Sequence, residues 1–417
     1  MSPDRKEKIR IGFILLIFYM SIMSGIPVKV AADELKLIPS LSVKEEYNDN
    51  ILYTITDIKR DFVTTISPGL SFIDRTEKMD INLSGRLDRR LYSKYGEFDA
   101  TDQYYEGTGK YAFTERFSLS GKALYSDDSR PDRDLETTGI PLGIVTRKRQ
   151  NYGISGDYSL SEKTLATLSY EYLNDNYDSD LYVDSEVNTI NLGFVYDLTY
   201  FSRSTKGRLN FGYAKYNMTG SEVDNYEATI GLSRDLSEKW SLLADGGARY
   251  TYWRFKVSGV QGVIFDPLTP PFFFPVLTDQ EQTSHEWGGV ARISLNYKGE
   301  RSKGSVSVAH ELAPPNGRTG SVERTSFILN MNRQFTNELY GMLSGGYFLN
   351  RSSEGEFASK VDEETLWITP GIRYEWNADT FIETSYTYNR TRYNTIRDYA
   401  DRNLLMVRFR IQFDLLN

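Results

Sequence analysis

From Leu404 to Asn417 the chain alternates residue by residue. Leu405, Val407, Phe409, Ile411, Phe413 and Leu415 fall on one parity, and Met406, Arg408, Arg410, Gln412 and Asp414 on the other. A strand sends successive side chains to opposite faces, so this segment predicts a ribbon with one apolar and one wet face. The pattern recurs along the chain. Met79, Ile81, Leu83 and Leu87 oppose Asp80, Asn82, Ser84, Arg86 and Asp88. Phe117, Leu119, Ala123 and Tyr125 oppose Ser118, Ser120 and Lys122, and Leu366, Ile368, Ile372 and Tyr374 oppose Thr369, Arg373 and Glu375. So many half-apolar strands do not fit around one water-soluble core. They predict an all-β fold, a single closed antiparallel transmembrane β-barrel with lipid outside and water inside.

The connections form two populations. Short ones carry an aromatic or apolar anchor followed by Ser, Thr, Asn or charge: Phe113–Phe117, Leu160–Lys163, Leu236–Trp240, Phe335–Leu339 and Trp376–Asp379, with Asp74–Lys78, Leu198–Lys206 and Lys298–Ser302 filling the gaps. That is hairpin chemistry with interfacial anchors. Longer, more polar ones are Tyr47–Arg60, Tyr92–Asp102, Ser126–Arg147, Leu173–Val187, Asn217–Asp224, Arg254–Ser284, Ala313–Ser321, Asn350–Glu363 and Asn389–Arg402. Strict alternation of the two predicts about 18 strands, short periplasmic turns, long extracellular loops and both termini in the periplasm. Pro68 and Pro370 sit inside strand patterns and predict local gaps in pairing.

The first residues change the picture only by adding an address. Arg5, Lys6, Lys8 and Arg10 precede an apolar run from Ile11 to Met23, and Val30-Ala31-Ala32 offers small residues. This reads as a secretory signal peptide over 1–32, leaving 33–417 as the barrel. With no Cys, neither a lipid-modified cysteine nor a disulfide is available. A mean hydropathy of −0.47 beside 30 Tyr and 22 Phe suits polar loops and lumen with aromatic girdles. The formal charge of −8 argues against nucleic acid as a partner. Outer-membrane lipid, lipopolysaccharide and the outer-membrane assembly machinery are the partners that a Gram-negative outer-membrane barrel implies.

Candidate chemistry lies on the wet parity. Arg86, Glu106, Lys110, Lys122, Asp157, Glu171, Arg249, Arg292, Arg373, Glu375, Glu383, Arg408 and Arg410 are the expected lumen residues, a lining of both signs. The segment Arg254–Ser284 is long and rich in Pro, with Phe265, Phe272, Phe273 and Phe274. It is expected to be an outward loop or a lid folded into the pore. Asn176–Asp180 begins like a calcium loop but lacks its Gly and its closing Glu. Asp127, Asp128, Asp132 and Asp134 in Ser126–Arg147 read as a solvated anionic loop. His285 and His310 have no Ser or Asp spaced to make a triad, so no enzyme is expected. No zinc spacing or phosphate loop occurs, so neither metal nor cofactor is expected.

One motif carries a resemblance. Glu45-Glu46-Tyr47-Asn48-Asp49-Asn50-Ile51, soon after the signal, and the recurrent Ser-Glu-Lys hairpins resemble the outer-membrane β-barrel porin family of exopolysaccharide and exosortase gene clusters. The resemblance implies a role for Tyr47, Asn48, Asp49 and Asn50, a channel exporting polysaccharide, and a periplasmic export protein as partner. Composition itself implies only a channel; the alternative is a general diffusion porin for small solutes, and behind it stand a structural barrel with a filled lumen and a rim-site lipid-modifying enzyme.

Overall fold

A computed structural model describes residues 34–265, 273–314, 316–318, 320–352 and 361–416, without the side chains of 257–279. The signal segment therefore lies outside the described residues. Eighteen strands run in chain order: β1 Glu34–Asn48, β2 Asp61–Arg75, β3 Met79–Tyr92, β4 Ala100–Ala112, β5 Phe117–Asp128, β6 Arg147–Ser161, β7 Thr164–Tyr177, β8 Ser185–Asp197, β9 Thr205–Met218, β10 Ser221–Asp235, β11 Trp240–Phe265, β12 Phe273–Lys298, β13 Ser302–Ala313, β14 Val322–Gln334, β15 Leu339–Ser352, β16 Asp362–Asn377, β17 Thr380–Tyr393 and β18 Asp398–Gln412. Each pairs antiparallel with the next, and β1 pairs with β18, so the sheet closes on itself. No helix among the described residues is long and apolar enough to cross a membrane.

Parity decides which face is which. On β18, Leu405, Val407, Phe409 and Ile411 are exposed on the outer face, while Leu404 and Met406 are buried inside. Ile230 and Leu232 on β10, Leu168 and Tyr170 on β7, and Ile368 and Ile372 on β16 likewise face outward. Apolar side chains exposed all round the ring are stable only against hydrocarbon, so the chain is an outer-membrane barrel. Two belts of paired rings flank this band. Trp240 with Tyr297 and Tyr374 with Trp376 mark the periplasmic side, and Tyr213 with Tyr226 and Tyr250 with Trp287 the extracellular side.

The two prolines interrupt the ladder on one edge each. Pro68 pairs with Leu41 of β1, but the β2–β3 register skips from Ile66↔Arg89 to Gly69↔Arg86. Pro370 pairs with Leu343 of β15, and the β16–β17 register skips from Ile368↔Tyr388 to Gly371↔Ser385. Proline has no N–H to donate, so one partner strand loses its rung there.

The expected alternation of connection lengths does not hold throughout. β9 and β10 meet across Thr219-Gly220, with Gly220 at φ +83°, where a long loop over Asn217–Asp224 was expected. Asn389–Arg402 is also mostly strand, with β17 running to Tyr393 and β18 starting at Asp398. Arg254–Ser284 is the largest departure: β11 and β12 are 26 residues each and stay paired up to Phe265↔Phe273. Polarity does not end a strand once it has left the bilayer, because polar cross-strand pairs support the ladder in water.

Phe409 and Arg410 offer a direct check of the register. Phe409→Arg places a charge on the lipid face and should destabilise the barrel by about 2–4 kcal/mol if it lies near the midplane. Arg410→Ala changes a lumen residue and should leave the folding yield in lipid vesicles near that of the parent. Equal loss in both would contradict the inward and outward assignment of β18.

Candidate pore constriction

The β5–β6 connection enters the lumen. Its two ends are pinned to their own wall by buried ion pairs. Arg147 bonds Asp134 at 2.5 Å and Asp128 at 3.3 Å, Arg133 reaches Asp128 at 3.0 Å, and Arg149 grips Asp175 with both ends of its guanidinium. Arg90 of β3 bonds Asp102 and Ser129. Between these anchors a short helix, Leu135–Thr138, ends at Gly139, which has φ +70°. A Cβ there would lie 2.5 Å from the Cβ of Phe348, so both the left-handed backbone and the close approach require glycine.

Beyond its helix the loop touches the far wall. Thr365 Oγ1 of β16 donates to Gly139 O at 2.5 Å, and Asn350 Nδ2 of β15 donates to Thr138 O at 2.9 Å. Arg402 Nη1 of β18 bonds Asp132 Oδ2 at 3.0 Å. β15 and β16 stand about half-way round the ring from β5 and β6, so the loop crosses the bore. Leu135 packs with Tyr53 and Ala400, and Ile140, Leu142 and Val145 are also buried. Each such apolar side chain contributes about 1.5–3 kcal/mol to holding the loop inside. Burial works against the charge of Asp132, but Arg130 and Arg402 outweigh it and hold its carboxyl well below the usual carboxylate range.

Other extracellular connections close in beside it. Tyr182, between β7 and β8, accepts a bond from Gly143 N at 2.7 Å. Val183 N donates to Gly317 O of the β13–β14 connection, and Arg318 pairs with Glu363 at the start of β16.

The thirteen lumen candidates all lie on the inward parity of their strands. Arg86, Glu106, Lys110 and Lys122 are exposed to the bore, whereas Arg249 and Glu383 are buried. Most are engaged: Lys122 with Glu171 at 2.9 Å, Asp157 with Thr167, Arg292 with Glu227 and Glu311, and Arg86 with Asp88 while lying over the Tyr104 ring. Glu383 is shared by Arg373 and Arg408, with Glu375 3.8 Å from Arg373, and the Nε of Arg410 has no partner. On the arc from β16 through β1 to β3, Arg373, Arg408, Arg410 and Arg86 thus stand beside Glu375, Glu383 and Asp88. Between Arg410 and Arg86 the wall is low, since Ser42, Ser67 and Gly69 face inward there.

Several expectations need correction. Among the described residues, the loop that crosses the bore is Ser126–Arg147. Three of its four aspartates are not solvated: Asp128, Asp132 and Asp134 are each held by arginines. The Arg254–Ser284 segment continues two paired strands. Of the lid candidates, Phe265, Phe273 and Phe274 belong to this ribbon and Phe272 lies outside the described residues. A readable signal was present: Leu135, Ile140, Leu142, Ile144 and Val145 are apolar residues in a loop whose other positions are mostly charged or polar, and such residues need cover. Tyr47 lies on the outer face against Phe62. Asn48, Asp49 and Asn50 tie the seam, Asp49 to Asn403 and Asn50 to Thr54 O and Asp401 O. His310 is on the outer face, its Nδ1 2.8 Å from Thr325 Oγ1.

No protein-family model and no curated protein matches the chain. Among solved structures, Acinetobacter baumannii OccAB4 aligns at 12% identity, covering 91% of this chain and 99% of that one, with a TM-score of 0.44. The outer membrane protein opdK of Pseudomonas aeruginosa aligns at 8% identity over 90% and 99%, TM-score 0.42. The ferric-catecholate import receptor Fiu of E. coli K12 aligns at 8% over 91% and 82%, TM-score 0.47.

The latch gives two measurable consequences. Arg402→Ala leaves Asp132 with one cation fewer in a buried place, a change that costs about 3–5 kcal/mol when a buried pair is broken. Single-channel conductance of that variant should rise or flicker between two levels while folding yield is kept. The second concerns acid. A carboxyl held below its ordinary value stabilises the loop above that ordinary value and loses the contribution as pH falls through its own lowered one. Conductance should therefore be flat from neutral pH downward and rise only below about pH 4. In Asp132→Asn, that acid step should vanish.

Proposed function

We propose that the barrel is a passive outer-membrane channel for small hydrophilic solutes, narrowed by the β5–β6 loop. The observation that supports this is the loop itself, bonded to both walls across the bore. A section so reduced sorts solutes by size, and the charged groups beside it sort them by sign. Arg410, whose Nε has no partner, favours anions beside it. The periplasmic half of the lumen is lined in part by Asn82, Thr108, Ser120, Ser155 and Ser169 beside Lys122 and Glu171, which suits hydrated solutes.

Polysaccharide export, with a periplasmic export protein, is the second reading. Its support is the resemblance at Tyr47–Asn50. Those residues have a structural task in the β1–β18 seam, and a polymer needs a continuous bore that the crossing loop interrupts. The small-solute reading therefore fits the lumen better. No Ser or Asp stands with His285 or His310 in an arrangement suited to hydrolysis among the described residues.

Swelling of vesicles carrying the barrel separates the two readings. A monosaccharide or an amino acid should pass, and a dextran should not. Comparable passage of both would favour export. In planar bilayers, Arg410→Glu should lower the ratio of chloride to potassium permeability. An unchanged ratio would remove the arginine arc from the account of selectivity.

A further inference from the structure

Arg410 of β18 faces the bore without a counter-ion, and its surroundings explain why. The carboxylates near it on the wall are already taken. Glu383 is held by Arg373 and Arg408, Glu375 stands 3.8 Å from Arg373, and Asp88 is bonded by Arg86 at 2.9 Å. Lys44, opposite Arg408 on β1, pairs with Glu46. Arg410 has no ion pair among the described residues, and its Nε has no acceptor. The charged groups that act on it most strongly are Arg408, Arg86 and Arg373, all of them cations.

The wall beside Arg410 is floored with small hydroxyl side chains. In the ladder, Ser42 of β1 stands opposite Arg410, and Ser67 of β2 stands opposite Ser42. The next inward row toward the periplasm runs from Gln412 through Ser40 and Gly69 to Arg86. Gly69 adds no side chain to that row, where a Cβ would come within 2.9 Å of Ser40 Oγ. Ser40, Ser42, Ser67 and Arg410 are partly exposed and Arg86 is fully so, which leaves the bore open in front of them. Arg402, which holds the crossing loop through Asp132, lies further toward the extracellular end of β18. The serine floor is therefore on the periplasmic side of the constriction.

We propose that Arg410, Ser42 and Ser67 form a subsite for a phosphate group, carried by inorganic phosphate or by a small phosphorylated solute. A guanidinium fork occupies two oxygens of an oxyanion. A monocarboxylate has no others. Phosphate keeps further oxygens, and the hydroxyls of Ser42 and Ser67 are donors for them. Charge points the same way. In one electrostatic potential a dianion gains twice what a monoanion gains, and the cations around Arg410 contribute to that potential without leaving their own carboxylates. The subsite deepens the small-solute reading and, as a statement of what passes, rests on it.

Binding is read apart from transport by the broadening of the phosphorus resonance of inorganic phosphate, added to the full barrel in detergent micelles at constant ionic strength. Saturable broadening is expected. Acetate and chloride should compete at least about tenfold more weakly, as expected for lost charge-assisted bonds. Arg410→Gln should remove the saturable part. Ser42→Ala with Ser67→Ala should weaken phosphate at least about threefold and narrow its preference over acetate. Glucose 6-phosphate should displace inorganic phosphate, and the tighter of the two is the source that the site serves. No saturable broadening, equal competition by acetate, or binding that persists in Arg410→Gln would each overturn the proposal. Should Arg410→Gln not fold, the serine pair decides alone, and an unchanged preference there would overturn it. Binding without ion conductance would instead overturn the channel reading, whereas conductance without binding would remove the subsite and leave the channel.

Discussion

Everything in this molecule depends on one constraint: inside a bilayer a backbone N–H or C=O has no water to bond, so each must find a partner in the protein. A sheet meets that demand only when it has no edge, and the pairing of β1 with β18 supplies the last partner. Both prolines lie where a single edge loses its rung while the other edge stays paired. The rungs between β12 and β13 stop at Ala291↔His310, close to Trp287 of the extracellular aromatic belt, which is the depth at which unpaired backbone becomes tolerable.

Ring closure has a second effect. It commits one parity of every strand to lipid, so all specificity must be built inside or above the ring. A loop from one wall spans the lumen. That loop stays in because its apolar residues find cover only against Tyr53, Phe348 and Ala400, and because its aspartates are matched by arginines from β6 and β18. Buried ion pairs add little net stability of their own, but they make any displaced arrangement costly. They therefore fix where the loop sits more than how strongly the barrel folds.

The strand parity, the closed all-β architecture, the strand number and the outward face of His310 follow from the alternation of side chains alone, because period 2 and the lipid boundary act locally. The ends of strands were less legible. Asn217–Asp224 and Arg254–Ser284 read as loops since polar and proline-rich sequence resembles a turn, while cross-strand pairing outside the membrane extends the ladder through it. The placement of the constriction belonged to tertiary structure. Asp132 meets Arg402, and Gly139 meets Phe348, across more than 200 residues of chain and the full width of the bore. The sequence determined that Leu135, Ile140 and Leu142 needed cover; only the closed ring decided which wall would provide it, because residues that face each other across a lumen share no local pattern.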